Sequence, residues 1–156
     1  MRKRIINSHN SGTREEELDW LPVEQIALVE VTSEEPSHPI EGALLPGLGT
    51  GWYAALPGEQ TIRLIFDNPQ ILKHIQLLFL ESEVERLQEF VLRWSSDGQT
   101  FHEIVRQQWN FSPHGSIQER EDYQVELFGV TQVELKIVPE KSGGEACASL
   151  AQFRLA

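Results

Sequence analysis

From residue 26 onward the chain alternates apolar and polar residues, in short runs broken by turn-forming residues. A period of two puts successive side chains on opposite faces of a strand, so these runs predict β-structure rather than helix. In TIRLIFD, Ile62, Leu64 and Phe66 alternate with Thr61 and Arg63, and Asn68-Pro69 breaks the run as a turn would. In ILKHIQLLFL, Ile71, Ile75, Leu77 and Phe79 share one parity; Leu78 and Leu80, beside His74 and Gln76 on the other, imply partial cover there too. Phe90, Leu92 and Trp94 lie on one face of the next run, and Phe101 and Val105 on one face of the run after it. Between these two runs stands Ser95-Ser96-Asp97-Gly98, where Asp-Gly is a strong two-residue hairpin signal.

The last runs are the cleanest. Tyr123, Val125 and Leu127 oppose Asp122, Gln124 and Glu126, while Val133, Leu135 and Ile137 oppose Gln132, Glu134 and Lys136. The closing SLAQFRLA sets Ala151, Phe153 and Leu155 against Leu150, Gln152 and Arg154. Val84, Leu87 and Phe90 have helix-compatible spacing, but that segment is too short for more than a turn. The predicted class is all-β, an antiparallel jelly-roll-like β-sandwich.

Turn positions also predict which loops share an end, because an antiparallel hairpin returns the chain to the end it left. If the Ser96–Thr100 turn marks the bottom, loops 81–86 and 109–118 lie at the top. Turns at Asn68-Pro69 and Gly129-Val130 join the bottom, which sends the end of loop 41–59 and the segment PEKSGGEACA to the top. Long loops on a rigid sandwich are the usual place for recognition.

Composition narrows the partners. The chain of 156 residues fits one domain, read as an extension over residues 1–24, with Trp20, Leu21 and Pro22 as an anchor, and a sandwich over 25–156. Thirteen Lys and Arg against 24 Asp and Glu give a net charge of −11, which repels phosphate backbones and anionic lipid, so neither nucleic acid nor membrane is expected as a partner. Arg2-Lys3-Arg4 is followed by only two adjacent aliphatics, short of the roughly 7 to 15 apolar residues of a signal peptide. The single cysteine, Cys147, has no internal partner for a disulfide, which suits a reducing cytoplasm, and the sequon at Asn110 then reads as chance.

No catalytic constellation emerges. His102-Glu103 begins like a zinc-protease motif, but the position four residues after His102 is Arg106. The five histidines, at 9, 38, 74, 102 and 114, are scattered, so no metal site is expected. Gly47, Gly49 and Gly51 lead into strands rather than a helix and read as turn glycines.

Four pieces in order carry a resemblance. Ser95-Ser96-Asp97-Gly98-Gln99-Thr100-Phe101, the small-residue loop EGALLPGLGTGW ending in Thr50-Gly51-Trp52, the strand pair EQTIRLIFDNPQILKHIQLLF and the closing ACASLAQFRLA together resemble the factor V/factor VIII type C, or discoidin, domains. The resemblance implies the galactose-binding-like β-sandwich and carbohydrate recognition, most often of galactose-like sugars, by loops at one end. Relatives that hold calcium place an Asp-Gly before the Trp and a Glu in the closing strand. Here those places hold Leu45-Pro46-Gly47 and Gln152, so no cofactor and no tight calcium are expected, although Glu41 could partly compensate. The terminal disulfide of secreted relatives is also missing.

The top end then offers His38, Trp52, Tyr53, Glu83, Arg86, Trp109, Asn110 and His114 as ligand-binding candidates. Aromatic faces pack on sugar C–H groups and polar side chains fix hydroxyls. Each has a plainer account. Trp52 could close the core edge, Trp109 and Phe111 could cover the open end of the sandwich, and Arg86 among Glu81, Glu83, Glu85 and Glu89 could be an exposed ion pair. The expected function is non-enzymatic carbohydrate binding. The alternatives are a protein-interaction module for a basic partner surface and an accessory domain that dimerises through a sheet face.

Overall fold

A computed structural model of the protein describes residues 19–156. Most of the expected extension, including His9, lies outside the described residues, but its anchor does not. The Leu21 N–H donates to the Leu155 carbonyl (2.7 Å), and Val23, in the one-turn helix α1 (Val23–Ile26), is buried in the core. Strand β1 (Ala27–Val31) follows, then a second short helix α2 (Glu41–Leu44), β2 (Trp52–Pro57) and the long β3 (Gln60–Leu80). The hairpin of β4 (Arg86–Ser95) and β5 (His102–Phe111) precedes a second long strand, β6 (Gln118–Val138), and the chain closes with β7 (Cys147–Leu150) and β8 (Gln152–Leu155).

The fold is the expected all-β sandwich, and its two layers are continuous through β3 and β6. One layer runs β1-β3-β6-β4-β5, using the first half of β3 and the second half of β6. The second half of β3, with the first half of β6 and with β8 on its other side, forms the facing layer, beside the two-stranded ribbon β2-β7. Ile62, Leu64, Phe90, Leu92, Val133, Leu135 and Ile137 from one layer meet Leu72, Ile75, Leu77, Phe79, Phe153 and Leu155 from the other in a single core. The stacked rings of Phe79 and Phe90 (5.3 Å between centroids) join the layers directly.

The Asn68-Pro69 and Gly129-Val130 breaks are corners within these strands, not turns between separate ones. The β3-β6 ladder shifts register between Ile65 and Gln70, again before Leu72 and again before His74, and Gly129 sits opposite the disturbance at φ 68°. Bulges bend a strand and increase its twist, and Pro, lacking an N–H, is tolerated where the ladder is already interrupted. The shift also corrects a parity. Ile71, expected to face inward, is 54% exposed, and Leu72 takes the core position at 0%.

The predicted hairpin at Asp97-Gly98 forms, but its turn is longer than two residues, since Trp94 pairs with His102. Asp97 Oδ1 accepts the N–H groups of Gln99 and Thr100 (2.8 Å each), and Ser95 Oγ accepts that of Gly98 (2.8 Å). These bonds, first the one from Thr100, hold the Asp97 carboxyl down at about 2. At the far end, the Arg86 guanidinium bridges Glu81, just past β3, and the Pro139 carbonyl, just past β6. The Lys141 N–H donates to the Leu87 carbonyl there and the Gly58 N–H to the Ala146 carbonyl. The loops expected to share an end do share one.

Candidate functional site

A groove of about 470 Å³ opens at that loop end. One wall carries Glu35 and the β2 residues Tyr53 to Ala55, another is Leu80 to Glu83, and Cys147 to Ser149 of β7 complete it. Trp52 and Tyr53 are adjacent on β2 and so point to opposite sides. Trp52 is fully enclosed and its Nε1–H donates to the Ser33 carbonyl (3.0 Å), so of its two accounts the core one holds and its ring is not open to a ligand. Tyr53 faces outward, 45% exposed, at the groove.

His38 braces that ring. The imidazole lies parallel to the Tyr53 phenol at 4.1 Å between centroids and 9° between planes. Its Nδ1 is 3.2 Å from Glu35 Oε2 and 3.0 Å from Ser37 Oγ. Backbone bonds tie the 35–38 turn to β2: the Tyr53 N–H donates to the His38 carbonyl (3.1 Å) and the Glu35 N–H to the Tyr53 carbonyl (2.8 Å). An aromatic face held this way presents a flat apolar surface with little side-chain freedom left to lose on binding.

Arg86 is neither an exposed ion pair nor a groove residue. It is 2% exposed; Nε donates to Glu81 Oε1 (2.8 Å), Nη1 donates to Gln88 Oε1 (2.9 Å) and the Pro139 carbonyl (3.0 Å), and the guanidinium lies 4.7 Å over the Phe111 ring. Its partners come from three segments, which makes burial of the charge tolerable. The function left to it is positional: it fixes Glu81, whose Oε2 accepts the Glu83 N–H (3.2 Å), and so shapes the Leu80–Glu83 wall.

The other candidates separate. Trp109 pairs across β5 with Gln88 and packs half-buried against the core, as a cover for the open side of the sandwich would. Asn110 is exposed beside it, and His114 is exposed in a turn closed by the Ser112 N–H on the Ser116 carbonyl (2.8 Å). Tyr53 and Glu83 are therefore brought together at the groove, with His38 stacked on the Tyr53 ring, while Trp109, Asn110 and His114 belong to the β5 side.

Beneath the β5 side lies a buried polar cluster. Glu119 of β6 is 0% exposed, opposite Phe79; its Oε1 accepts from Gln88 Nε2 (3.2 Å). Arg86 Nη2, Trp109 Nε1 and Glu119 Oε2 are buried without a hydrogen-bond partner. Burial, and then the neighbouring Glu121, push the Glu119 carboxyl up to about 8 against the opposing pull of Gln88 and Arg86. Among the described residues no group of three His, Cys, Asp or Glu side chains is arranged to hold a metal ion.

Chemically, the groove offers a rigid aromatic face, the carboxylates of Glu35, Glu81 and Glu83, and the hydroxyls of Ser82 and Ser149. That combination suits a polyhydroxylated ring. Sequence reasoning missed Glu35, Glu81, Ser82, Cys147 and Ser149. The alternation in ACASL, with buried Ala148 and Leu150, was the available signal for the last two.

Among solved structures the protein is similar to CpGH89CBM32-5 of Clostridium perfringens in complex with GalNAc-β-1,3-galactose, with TM-score 0.64 and 19% identity over 88% of this chain and 99% of that one. The likeness lies in the antiparallel β-sandwich fold. The family 32 module of NanJ from C. perfringens, in complex with galactose, gives TM-score 0.61 at 13% identity over 87% of this chain and 96% of that one. The module of AlyQ, in complex with 4,5-unsaturated mannuronic acid, gives 0.55 at 16% identity over 84% and 95%. No family model matches the sequence, and no curated protein does. At these identities the likeness to carbohydrate-binding modules is one of fold, and it meets the expected galactose-binding-like sandwich at that level.

Proposed function

We propose that the protein is a non-catalytic carbohydrate-binding module whose groove takes a pyranose ring against the Tyr53–His38 stack. The observation that carries this reading is the exposed Tyr53 ring, stacked at 4.1 Å on His38 beside a groove lined with hydroxyls and carboxylates. Glu35, Glu83 and Ser149 accept hydrogen bonds from ring hydroxyls, and Arg86 acts only through Glu81. The complexes of similarly folded modules with galactose and GalNAc-β-1,3-galactose support a galactose-like ligand. The Ser-x-Asp-Gly turn and the Thr-x-Trp loop support a kinship with discoidin domains.

The first experiment is a glycan array with calcium and again with chelator, followed by titration of the best hit. Tyr53→Ala is expected to weaken that hit at least tenfold, about 1.4 kcal/mol, at unchanged melting temperature. Cys147, the one cysteine of the chain, lines the groove, so saturating sugar is expected to slow its alkylation. A hit that keeps its affinity in Tyr53→Ala and leaves alkylation unprotected overturns the site.

A second reading has its own observation. Tyr53, Leu56, Leu80 and Val84 are exposed at or near this groove, and such apolar groups also suit a protein partner. A blank array under both conditions transfers weight to it.

A further inference from the structure

The charge of the groove bears on which sugars it admits. This deepens the reading of the groove as a sugar site and rests on it. Three carboxylates, Glu35, Glu81 and Glu83, line the groove, and among the described residues no Lys or Arg side chain does. The guanidinium behind that wall, Arg86, is buried and committed to Glu81, Gln88 and the Pro139 carbonyl. Glu35 Oε2 is already engaged by His38 Nδ1 at 3.2 Å, and Glu81 Oε1 by the Arg86 guanidinium. Glu83 is exposed on the same wall and adds its charge to a molecule of net −11.

We infer that the groove discriminates against acidic sugars in favour of their uncharged counterparts, and that Glu83 is the specificity-determining residue. A uronate carboxylate replacing a hydroxymethyl group would enter a partly desolvated groove facing like charge. At a separation of about 6 Å and an effective dielectric between protein surface and water, one such pair weakens binding about tenfold. The same carboxylates accept hydrogen bonds from the hydroxyls of a neutral sugar, so exclusion of the acid and retention of the neutral ring come from the same side chains.

The test measures matched methyl glycosides by NMR titration of the full chain: galactose with galacturonate, glucose with glucuronate and mannose with mannuronate. The expected result is that the uronate of whichever pair binds is weaker by about tenfold at low salt. The ratio narrows as salt shortens the screening length from roughly 30 Å at 0.01 M towards 3 Å at 1 M. Glu83→Gln is expected to narrow the neutral-to-acid ratio, and Glu83→Lys to narrow it further or reverse it. Glu126→Gln, an equal charge change on an exposed β6 position near the corner, is expected to leave the ratio unchanged. A uronate that binds as tightly as its neutral partner overturns the inference while the sugar site stands. A ratio insensitive to Glu83→Lys overturns the assignment to that residue. Failure of every sugar in all pairs overturns the sugar-site reading and this inference with it.

Discussion

Glu119→Gln is expected to make the protein more stable at pH 8 and to flatten its stability between pH 5 and 8. Glu119 is enclosed between the layers, with Gln88 and Arg86 of β4, Phe79 of β3 and Glu121 of its own strand around it. Its carboxyl sits at about 8 when folded against 4.5 ordinarily, because burial and Glu121 disfavour the anion. A carboxyl whose folded value is raised binds its proton more tightly in the native state. Its contribution is therefore fully present below pH 4.5, declines as pH rises from there, and is gone above pH 8. Every tenfold gain in proton affinity on folding corresponds to about 1.4 kcal/mol; relaxation around the anion and water penetration bring the whole effect to about 2–3 kcal/mol.

Gln has nearly the same shape, stays neutral throughout, and keeps an oxygen that accepts from Gln88. Urea denaturation followed by tryptophan fluorescence, at steps from pH 5 to 8.5, reads the effect. The two proteins should agree to within about 1 kcal/mol near pH 5, and the variant should lead by about 2–3 kcal/mol at pH 8. Taking the difference cancels the other titrating groups. Parallel curves across that range, or a variant less stable at pH 8, would refute the reasoning.

Two further outcomes follow from buried contacts. Arg86→Met removes the donor shared by Glu81, Gln88 and the Pro139 carbonyl, and should cost about 3 kcal/mol in denaturation while increasing hydrogen exchange at residues 81–83. Gly42→Ala would set a Cβ 2.4 Å from the Gly51 carbonyl oxygen, backbone that has no easy retreat, and should lower the melting temperature by several degrees, about 1–3 kcal/mol.

Parity made most of the fold legible, because most strands bury the set of residues their alternation announced; the exceptions are one end of β3 and the β7–β8 junction, where Leu150 is buried in place of Ala151. The β3 exception shows the limit of the rule. Ile71 and Leu72 are equally apolar, and only the bulge at the corner decides between them; nothing local in the sequence encodes that bulge beyond Pro69. At the site, Tyr53 and His38 were legible as loop-end aromatics, but their stacking depends on a turn folded back around Pro36. Arg86 was misleading for a physical reason. Surrounded in sequence by four glutamates it resembles a solvated charge, whereas its burial comes from Phe111 and Pro139, distant in sequence. Glu119, within a run of charged residues, conceals its burial in the same way.

The corner in β3 and β6 has a consequence at the opposite end of the molecule. Two of the three groove sides hang from β3: Leu80–Glu83 extends it directly, while the Ala151 N–H bonds the Leu78 carbonyl and so ties the β7 side to the same strand. A two-residue slip of the ladder would preserve every inward parity yet carry the Leu80–Glu83 wall about 7 Å along its axis, relative to residues 35–38. The three register shifts and Gly129 at the corner forbid that slip, because bulge and partner fit in only one alignment. The kink thus acts as a vernier, setting the aperture in which Tyr53 meets its ligand from the far side of the core.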